Sequence, residues 1–151
     1  MTVREMKKED RETVQSFFDN MSESSAAFFN VNRGNEKRTM EFFENGKKDH
    51  KFFVVTADEE IIALSFIWDI NTSLPWFGIA VCDKYQGQGI GKMLIESVFS
   101  YLKENRYGGL ILRTAVNNIP AQKLYEKCGF ERMGTHPSGE YLYIKRWKEN
   151  D

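Results

Sequence analysis

Cysteine is scarce in this sequence of 151 residues, which contains only Cys82 and Cys128. The two lie far apart and match no spacing typical of a metal site, which argues against a zinc site and against a disulfide-rich secreted fold. Two reduced cysteines are typical of a cytoplasmic protein. Proline is equally scarce, and each of the three, Pro75, Pro120 and Pro137, falls at a predicted boundary of a helix or strand.

The sequence also lacks long apolar runs and an excess of charge of one sign. No apolar segment approaches the roughly 20 residues of a membrane-spanning helix, and the charged N-terminal segment lacks the apolar core of a signal peptide. With 21 basic and 22 acidic residues, the formal net charge is −1, which gives no general electrostatic basis for binding nucleic acid or an anionic membrane. We therefore expect a soluble cytoplasmic protein with neither as a partner.

Apolar residues are abundant enough for a core, since 41% of the chain is hydrophobic and 14% aromatic. The length predicts a single domain over residues 1–151. Apolar periodicity and turn residues predict helices at 8–21, 36–46, 90–106 and 118–129 and strands at 2–6, 51–57, 61–70, 75–82, 108–116, 130–135 and 140–147. The segment 22–35 is left unassigned. Residues 76–116 form a βαβ unit, so its two strands are predicted to be parallel.

Three glycines at alternate positions separate a predicted strand from a predicted helix in the segment QGQGIGK, Gln86 to Lys92. The start of a helix presents unpaired N–H groups and a partial positive charge, and glycine lets a phosphate approach them closely. Lys92 adds a cation. The segment therefore predicts a phosphate or pyrophosphate site, with a ligand-free helix cap as the alternative.

Two familiar phosphate motifs do not fit this turn. A P-loop would need glycine where Gln86 stands and a serine or threonine where Met93 stands. A dinucleotide-binding turn that starts at Gly87 would need glycine at Lys92, and one that starts at Gly89 would need it at Leu94.

The turn resembles the Q/R-x-x-G-x-G/A signature of the GNAT superfamily of acyl-CoA-dependent N-acyltransferases. A second segment, NNIPAQKLYEKCGF at 117–130, is similar to the N-x-x-A-x-x-L-Y-x-K-x-G-F segment of that family. The matching residues of this second segment are Asn118, Ala121, Leu124, Tyr125, Lys127, Gly129 and Phe130. Both signatures occur in the family's order, and the order of predicted elements agrees over nearly the whole chain.

The resemblance implies an α/β (α+β) fold with a mixed, mostly antiparallel central sheet of about six or seven strands. This sheet would have a parallel βαβ core, would be splayed at the middle, and would carry about four helices on its two faces. It also implies an N-acetyltransferase that moves an acetyl group from acetyl-CoA directly to a primary amine of a small molecule, peptide or protein, without a metal, as a monomer or homodimer. The alternative is a non-catalytic acyl-CoA-binding module, which would keep the glycine turn and lose acid–base groups.

The same resemblance assigns roles to individual residues. The backbone of one strand would pair with the pantetheine arm, and the turn would bind the pyrophosphate of coenzyme A. These coenzyme-binding residues are Ile79, Ala80, Val81, Gln86, Gly87, Gln88, Gly89, Ile90, Gly91, Lys92, Asn118 and Tyr125. Asn118 is predicted both to cap a helix and to contact pantetheine. Tyr125 lies on an apolar helix face, but the motif makes it the proton donor to the departing thiolate.

The general base is not evident in the sequence, because the strand 75–82 has no carboxylate. Asp69 and Glu140 are candidates, whereas His136 has the context of a surface histidine. Gly78 is predicted to mark a bulge or splay in its strand, with close packing as the alternative. Acceptor specificity is expected from residues 22–50 and 135–140, where Arg33 could recognise a carboxylate or phosphate.

Overall fold

The structure is a computed structural model that describes residues 1–30, 34–46 and 48–148. Seven strands form one sheet. They are β1 (Thr2–Glu5), β2 (His50–Ala57), β3 (Glu60–Trp68), β4 (Trp76–Val81), β5 (Gly109–Thr114), β6 (Glu131–Thr135) and β7 (Tyr141–Arg146). The helices are α1 (Arg11–Asp19), α2 (Glu23–Asn30), α3 (Asn35–Asn45), α4 (Ile90–Glu104) and α5 (Ile119–Lys127).

The strand order across the sheet is β1-β2-β3-β4-β5-β7-β6. Among the described residues, only β4 and β5 pair in parallel, joined through α4, while the other strand pairs are antiparallel. The predicted mixed, mostly antiparallel sheet with a parallel βαβ core is therefore confirmed. The turn between β2 and β3 has positive φ at Asp58 and Glu59, which is the geometry of a tight two-residue hairpin.

Two apolar clusters lie on opposite faces of the sheet. One packs the sheet against α4 and α5, with Leu94, Val98 and Leu102 fully buried. The other packs the sheet against α1, α2 and α3 through Val14, Phe29 and their neighbours. Helices on both faces agree with the expected layers, although there are five rather than about four.

The additional helix is α2, which lies in the segment that the periodicity left unassigned. The Ser22 hydroxyl accepts a hydrogen bond from the Ser25 N–H at 3.2 Å, and so caps the helix start. The Asp83 carboxylate accepts hydrogen bonds from the Ser22 N–H at 3.4 Å and the Ser25 hydroxyl at 3.3 Å. The start of α2 therefore depends partly on a residue that lies 61 positions further along the chain than Ser22.

None of the helices in the described part of the chain combines the length and the apolar character that crossing a membrane requires.

Candidate active site

A cleft of about 610 Å³ opens beside the carboxyl end of β4. The parallel strands β4 and β5 are in register only at Trp76 opposite Ile111, as far as the described residues show, and they separate beyond that pair. Residues from both faces of the sheet line the cleft, including Phe29 of α2 and Leu124 of α5. The predicted splay of the sheet thus creates a space that both faces can reach.

The glycine turn borders this cleft, and its glycines serve two different purposes. Gly87 and Gly89 have φ of +78° and +83°, which side chains rarely adopt, and a Cβ atom at either would meet nothing within 4 Å. Gly91 instead allows close helix packing, because its Cβ would lie 2.9 Å from Cδ2 of Leu124. Two of the glycines shape an open turn, and the third lets α4 approach α5.

The first turn of α4 begins immediately after Gly89. The first N–H group with a partner along the helix is that of Met93, which donates to the Gly89 carbonyl at 3.0 Å. The N–H groups before it, from Ile90 to Lys92, lie in the part of a helix that has no intrahelical acceptors. Lys92 is exposed and lines the cleft, with its Nζ 3.9 Å from Glu96. This end of the cleft can hold a phosphate group.

Two side-chain amides tie the turn to the preceding segment. The Gln86 amide donates to the Val81 carbonyl at 3.0 Å, and the Gln88 amide donates to the Lys84 carbonyl at 3.0 Å. Gln86 lines the cleft, whereas the side chains of Gln88 and Ile90 lie outside its lining. For these two residues, any contact with a ligand would be made by the backbone.

Strand β4 forms the floor of the cleft through Ile79, Ala80 and Val81. The bulge expected at Gly78 is not present, because β3 and β4 stay in continuous register there, with Phe66 opposite Gly78. Close packing explains the glycine instead, since a Cβ at this position would lie 2.0 Å from Cζ of Phe66. The strands separate on the other side of β4, where it meets β5.

Asn118 and Tyr125 of the second signature both line the cleft. The Asn118 side chain accepts a hydrogen bond from the Ala121 N–H at 3.4 Å, so the predicted helix cap is present. Tyr125 is only 6% exposed and packs its ring against Phe130 and Tyr143, at 5.6 and 6.2 Å between centroids. The sequence predicted either a core residue or a residue of the active site. Tyr125 fits both predictions, because it is buried in the core and also borders the cleft.

The candidate bases occupy different places. Asp69 sits in the turn after β3 with φ of +57° and is not part of the cleft lining. Glu140 is buried beside Arg113, with 3.8 Å between its Oε1 and the Arg113 Nε. His136 is half-buried rather than on the surface, and its Nδ1 lies 3.1 Å from Nη1 of Arg113. The structure thus brings Glu140 and His136 to Arg113 and leaves Asp69 apart.

Neither cysteine belongs to the cleft lining, and both are free thiols. Burial raises the pKa of the Cys128 thiol, which lowers its thiolate fraction at neutral pH. In the described part of the chain, no group of three or more histidine, cysteine or acidic residues is placed to hold a metal ion.

A second wall of the cleft is formed partly by α2 and α3, within the segment 22–50 from which acceptor specificity is expected, and partly by Arg113 of β5, for which the sequence carries no signal. We name this the acceptor wall, and its residues are Phe28, Phe29, Asn35 and Arg113. They come from two helices and a strand, and no spacing along the chain connects them. Arg33, which the sequence suggested for acceptor recognition, lies outside the described residues.

Comparisons with known sequences find acetyltransferases. The chain is 33% identical over 75 residues to N-acetyltransferase 8B of Rattus norvegicus, a match covering 50% of this chain and 32% of that protein. It is 30% identical over 89 residues to the ribosomal protein bS18-alanine N-acetyltransferase of Salmonella typhimurium, covering 59% and 60%. The matches thus span less than two thirds of these relatives.

Solved structures share the fold over nearly the whole chain. The GNAT domain of S. lividans PAT superposes with a TM-score of 0.84 at 18% identity, covering 96% of this chain and 89% of that one. The PaiA N-acetyltransferase of Thermoplasma acidophilum, in complex with coenzyme A, gives a TM-score of 0.79 at 17% identity, covering 97% and 98%.

Residues 17–130 match the profile of a protein family that is described as "Acetyltransferase (GNAT) family". These residues include α2, the strands from β2 to β5, the glycine turn and the whole of α5. The match covers well over half of the chain and agrees with both sequence signatures, so the chain belongs to the GNAT acetyltransferase family.

Proposed function

We propose that this chain transfers the acetyl group of acetyl-CoA to a primary amine within a ternary complex of protein, acetyl-CoA and amine. The observation that carries the proposal is that one cleft is lined by strand β4, the glycine turn and Tyr125, three parts of the chain that are separate in sequence. Family membership supports the same reaction. The oligomeric state, monomer or homodimer, and the cytoplasmic location stay predictions.

The end of the cleft near α4 fits coenzyme A. The turn offers open space at Gly87 and Gly89, N–H groups at the start of a helix of 15 residues, and a cation at Lys92. The pyrophosphate is proposed to bind there, with the pantetheine arm along β4 towards the region where the strands separate. Asn118 borders the same path.

The reaction needs one bond to form and one to break. The amine nitrogen forms a bond to the acetyl carbon, the thioester C–S bond breaks, and the sulfur leaves as a thiol or thiolate. Tyr125 is proposed to donate a proton to this sulfur and to regain one from water. Free thiols have a pKa of about 8.5, so this assistance is modest, and positioning of the amine against the thioester supplies most of the rate.

The proton that the amine loses is proposed to leave through water in the cleft. Asp83 is the one carboxylate that lines the cleft among the described residues, and it accepts hydrogen bonds from Ser22 and Ser25. An alkyl ammonium has a pKa of about 10.4, so the rate is expected to rise with pH as the neutral amine becomes available.

A second candidate function is binding of acyl-CoA without catalysis. The lack of a carboxylate on β4 itself favours it, because such a module would need the glycine turn and would not need a general base. Both candidates require coenzyme A binding, and only the first requires transfer to an amine.

The first experiment is a calorimetric titration of acetyl-CoA into the wild-type protein and the Gly89→Trp variant. Binding to wild type and none to the variant supports the site at the turn. Gly46→Trp is the matched control, since Gly46 has φ of +71° and open space around it but lies at the end of α3. A screen of amines then separates the two functions. Absence of binding to wild type would contradict both.

A further inference from the structure

We propose that the acceptor amine carries an oxyanion, such as a carboxylate, close to its amino group, and that Arg113 binds this oxyanion. The inference rests on the proposed acetyltransferase function and names the chemical class of its acceptor.

Arg113 faces the acceptor wall rather than the coenzyme turn. Alternate residues of a strand point to opposite faces of the sheet, and Leu110 and Leu112 pack into the cluster under α4 and α5. Arg113 therefore points to the opposite face, where its guanidinium lies 5.7 Å from the ring centroid of Trp76. Trp76 packs against the cluster on the α1–α3 side. The side chain lines the cleft from that direction.

Neighbouring side chains hold the guanidinium in place. Its Nε lies 3.8 Å from Oε1 of Glu140, and its Nη1 lies 3.1 Å from Nδ1 of His136. The Ser138 hydroxyl donates to the same Glu140 oxygen at 3.0 Å, so the carboxylate is fixed as well. A guanidinium that is held in this way loses little conformational entropy when it binds a ligand.

Two nitrogens of the guanidinium, Nε and Nη2, lack a hydrogen-bond partner among the described residues, and Nε is buried. Nη2 makes no hydrogen bond to any residue in the described ranges, although the Arg113 side chain is only 14% exposed. The Glu140 carboxylate lies 3.8 Å from Nε, so its charge stabilises the arginine without a hydrogen bond to that nitrogen. Arginine hydrogen bonds to carboxylates are charge-assisted and stronger than neutral ones, which suits this position to an oxyanion.

The charges of the two walls differ in a way that bears on the acceptor. Lys92 of α4 and Lys123 and Lys127 of α5 line the coenzyme side of the cleft. Arg113 is the cation of the acceptor wall, beside Phe28, Phe29 and Asn35, and the one carboxylate that lines the cleft among the described residues, Asp83, is already engaged by Ser22 and Ser25. A purely cationic acceptor such as a polyamine would bring its ammonium groups towards this guanidinium. An amine with a carboxylate would match it.

Asn35 offers a group for the amine end of such an acceptor. This residue is 2% exposed, and its side-chain amide donates to the Phe29 carbonyl. Its Oδ1 is buried and has no hydrogen-bond partner among the described residues, although the residue lines the cleft. Buried polar atoms are rarely unpartnered, so an N–H donor from the acceptor would complete this site.

The experiment compares acceptors with and without a carboxylate. The panel contains free amino acids, their carboxamide analogues, amidated peptides that begin with aspartate, and spermidine. The wild-type protein is expected to acetylate a carboxylate-bearing amine with a higher kcat/KM than its amide analogue. Free amino acids and acidic peptide termini are the two sources of this chemistry, and the panel separates them.

The Arg113→Met variant is expected to raise KM for the carboxylate acceptor about 10- to 100-fold, as the loss of a charge-assisted hydrogen bond predicts. KM for the amide analogue and the Kd of acetyl-CoA are expected to stay unchanged. Arg132→Met is the matched control. Arg132 lies on β6, is exposed, stacks over the ring of Tyr141 and does not line the cleft. The double variant Arg113→Met/Glu140→Gln keeps the test valid if the single variant unfolds, because it leaves no buried carboxylate without its cation.

Several results would overturn the inference. They are an equal KM increase for carboxylate and amide acceptors in the variants, a wild-type preference for spermidine, and equal use of acids and amides. Titration of the same acceptors into the coenzyme A complex supplies a readout that does not depend on turnover, and equal affinities there would overturn it too. If acetyl-CoA binds and no amine is acetylated, the proposed transferase function fails, whereas the carboxylate preference is still decided by this titration.

Discussion

The two walls of the cleft are built in different ways. The coenzyme wall, which comprises 79–81, 86–92, Asn118 and Tyr125, offers mainly backbone N–H groups and backbone space. The acceptor wall uses side chains that arrive from α2, α3 and β5. A site made of backbone requires particular residues at a fixed spacing, because glycine adopts the positive φ values of Gly87 and Gly89 without the strain that a side chain brings.

A site made of side chains places no such demand on local sequence. Arg113 occupies an ordinary position in an alternating strand, and Asn35 begins a helix. The comparison teaches that the shared ligand of a family leaves a motif in the sequence, whereas the acceptor is encoded in contacts that only the fold creates.

The largest effect is expected at Gly78, which lines the cleft and directly precedes the β4 residues of the coenzyme wall. The Gly78→Val variant would place its Cβ about where the Phe66 ring lies, 2.0 Å from Cζ. Overpacking of this kind costs about 1–3 kcal/mol and is expected to shift β4, which carries residues of the coenzyme wall. Urea unfolding measures the loss of stability, and calorimetry measures the accompanying loss of acetyl-CoA binding.

A second substitution tests whether contact with the Phe66 ring causes the loss of stability in the Gly78→Val variant. In the background of Phe66→Ala, the Gly78→Val change is expected to cost less than it does alone, because the ring that it meets is gone. Strictly additive losses of stability would mean that the glycine serves a purpose other than close packing.

The next largest effect concerns chemistry on the coenzyme wall. The Tyr125→Phe variant is expected to lower kcat about 10- to 100-fold, at the lower end for a lost general acid, because a thiolate is already a fair leaving group. Because phenylalanine keeps the ring of this coenzyme-wall residue and removes only the hydroxyl, the Kd of acetyl-CoA is expected to change much less than kcat. Turnover is measured from the thiol that the reaction releases.

Tyr143 supplies the matched control for Tyr125. Its hydroxyl donates to Glu126 at 2.7 Å, and burial together with this carboxylate raises the pKa of Tyr143 to about 12. The Tyr143→Phe variant is expected to lose about 1 kcal/mol of stability and to keep its kcat. Unchanged turnover in Tyr125→Phe would remove Tyr125 from the mechanism.

Most of the fold could be predicted from the sequence, because its strands and its later helices have strong local signals. The run KFFVVTA predicts β2, and Asn118 and Pro120 mark the start of α5. Helix α2 was missed because Asp83, from a distant segment, helps to hold its start. The sequence predicts a bulge or splay at Gly78, with close packing as the alternative; the splay lies between β4 and β5, and the close packing depends on Phe66, which lies on another strand and could not be identified from the sequence.

The same contrast applies to the candidate site. The coenzyme-binding residues were predicted by motif, and they border one cleft apart from the side chains of Gln88 and Ile90. Their contact with acetyl-CoA stays a prediction. Arg113 could not be predicted, since its setting depends on Glu140 and His136, which approach it only after β5 and β7 have paired.

A smaller effect is expected from the link between α2 and the loop after β4. Hydrogen bonds from Ser22, first of all, and from Ser25 hold the pKa of Asp83 below its usual value. The stabilisation that the ionised Asp83 gives the folded protein is therefore complete above about pH 4, the ordinary pKa of an aspartate. It is lost as the pH falls through the lowered pKa of Asp83. The Asp83→Asn variant is expected to raise the acceptor KM about threefold at pH 7, in line with an exposed interaction.

Hydrogen exchange of the α2 amides provides the structural measurement for Asp83. Faster exchange in the variant at pH 7, with a difference between variant and wild type that shrinks as the pH falls below about 4, would agree with this sign. The Glu131→Gln variant, at an exposed position of β6, controls for the loss of a charge. A variant that differs from wild type equally at both pH values would exclude the carboxylate as the source.

The smallest effect is expected at Lys92, where a charged side chain supplements a backbone site. Its side chain is 47% exposed and lies near Glu96, so solvent screens its attraction for a phosphate. The Lys92→Gln variant is expected to weaken acetyl-CoA binding about twofold at low salt and less at 0.5 M salt. Calorimetry at two salt concentrations measures this, with Lys103→Gln at the far end of α4 as the control.

This last measurement decides how far the backbone alone defines the coenzyme wall. If the turn N–H groups supply most of the affinity, removal of the Lys92 charge leaves binding nearly intact, because those dipoles stay in place. A loss of 100-fold or more would instead mean that a side chain dominates this wall too. In that case both walls would bind their ligands mainly through side chains. The use of backbone N–H groups would then no longer distinguish the coenzyme wall from the acceptor wall.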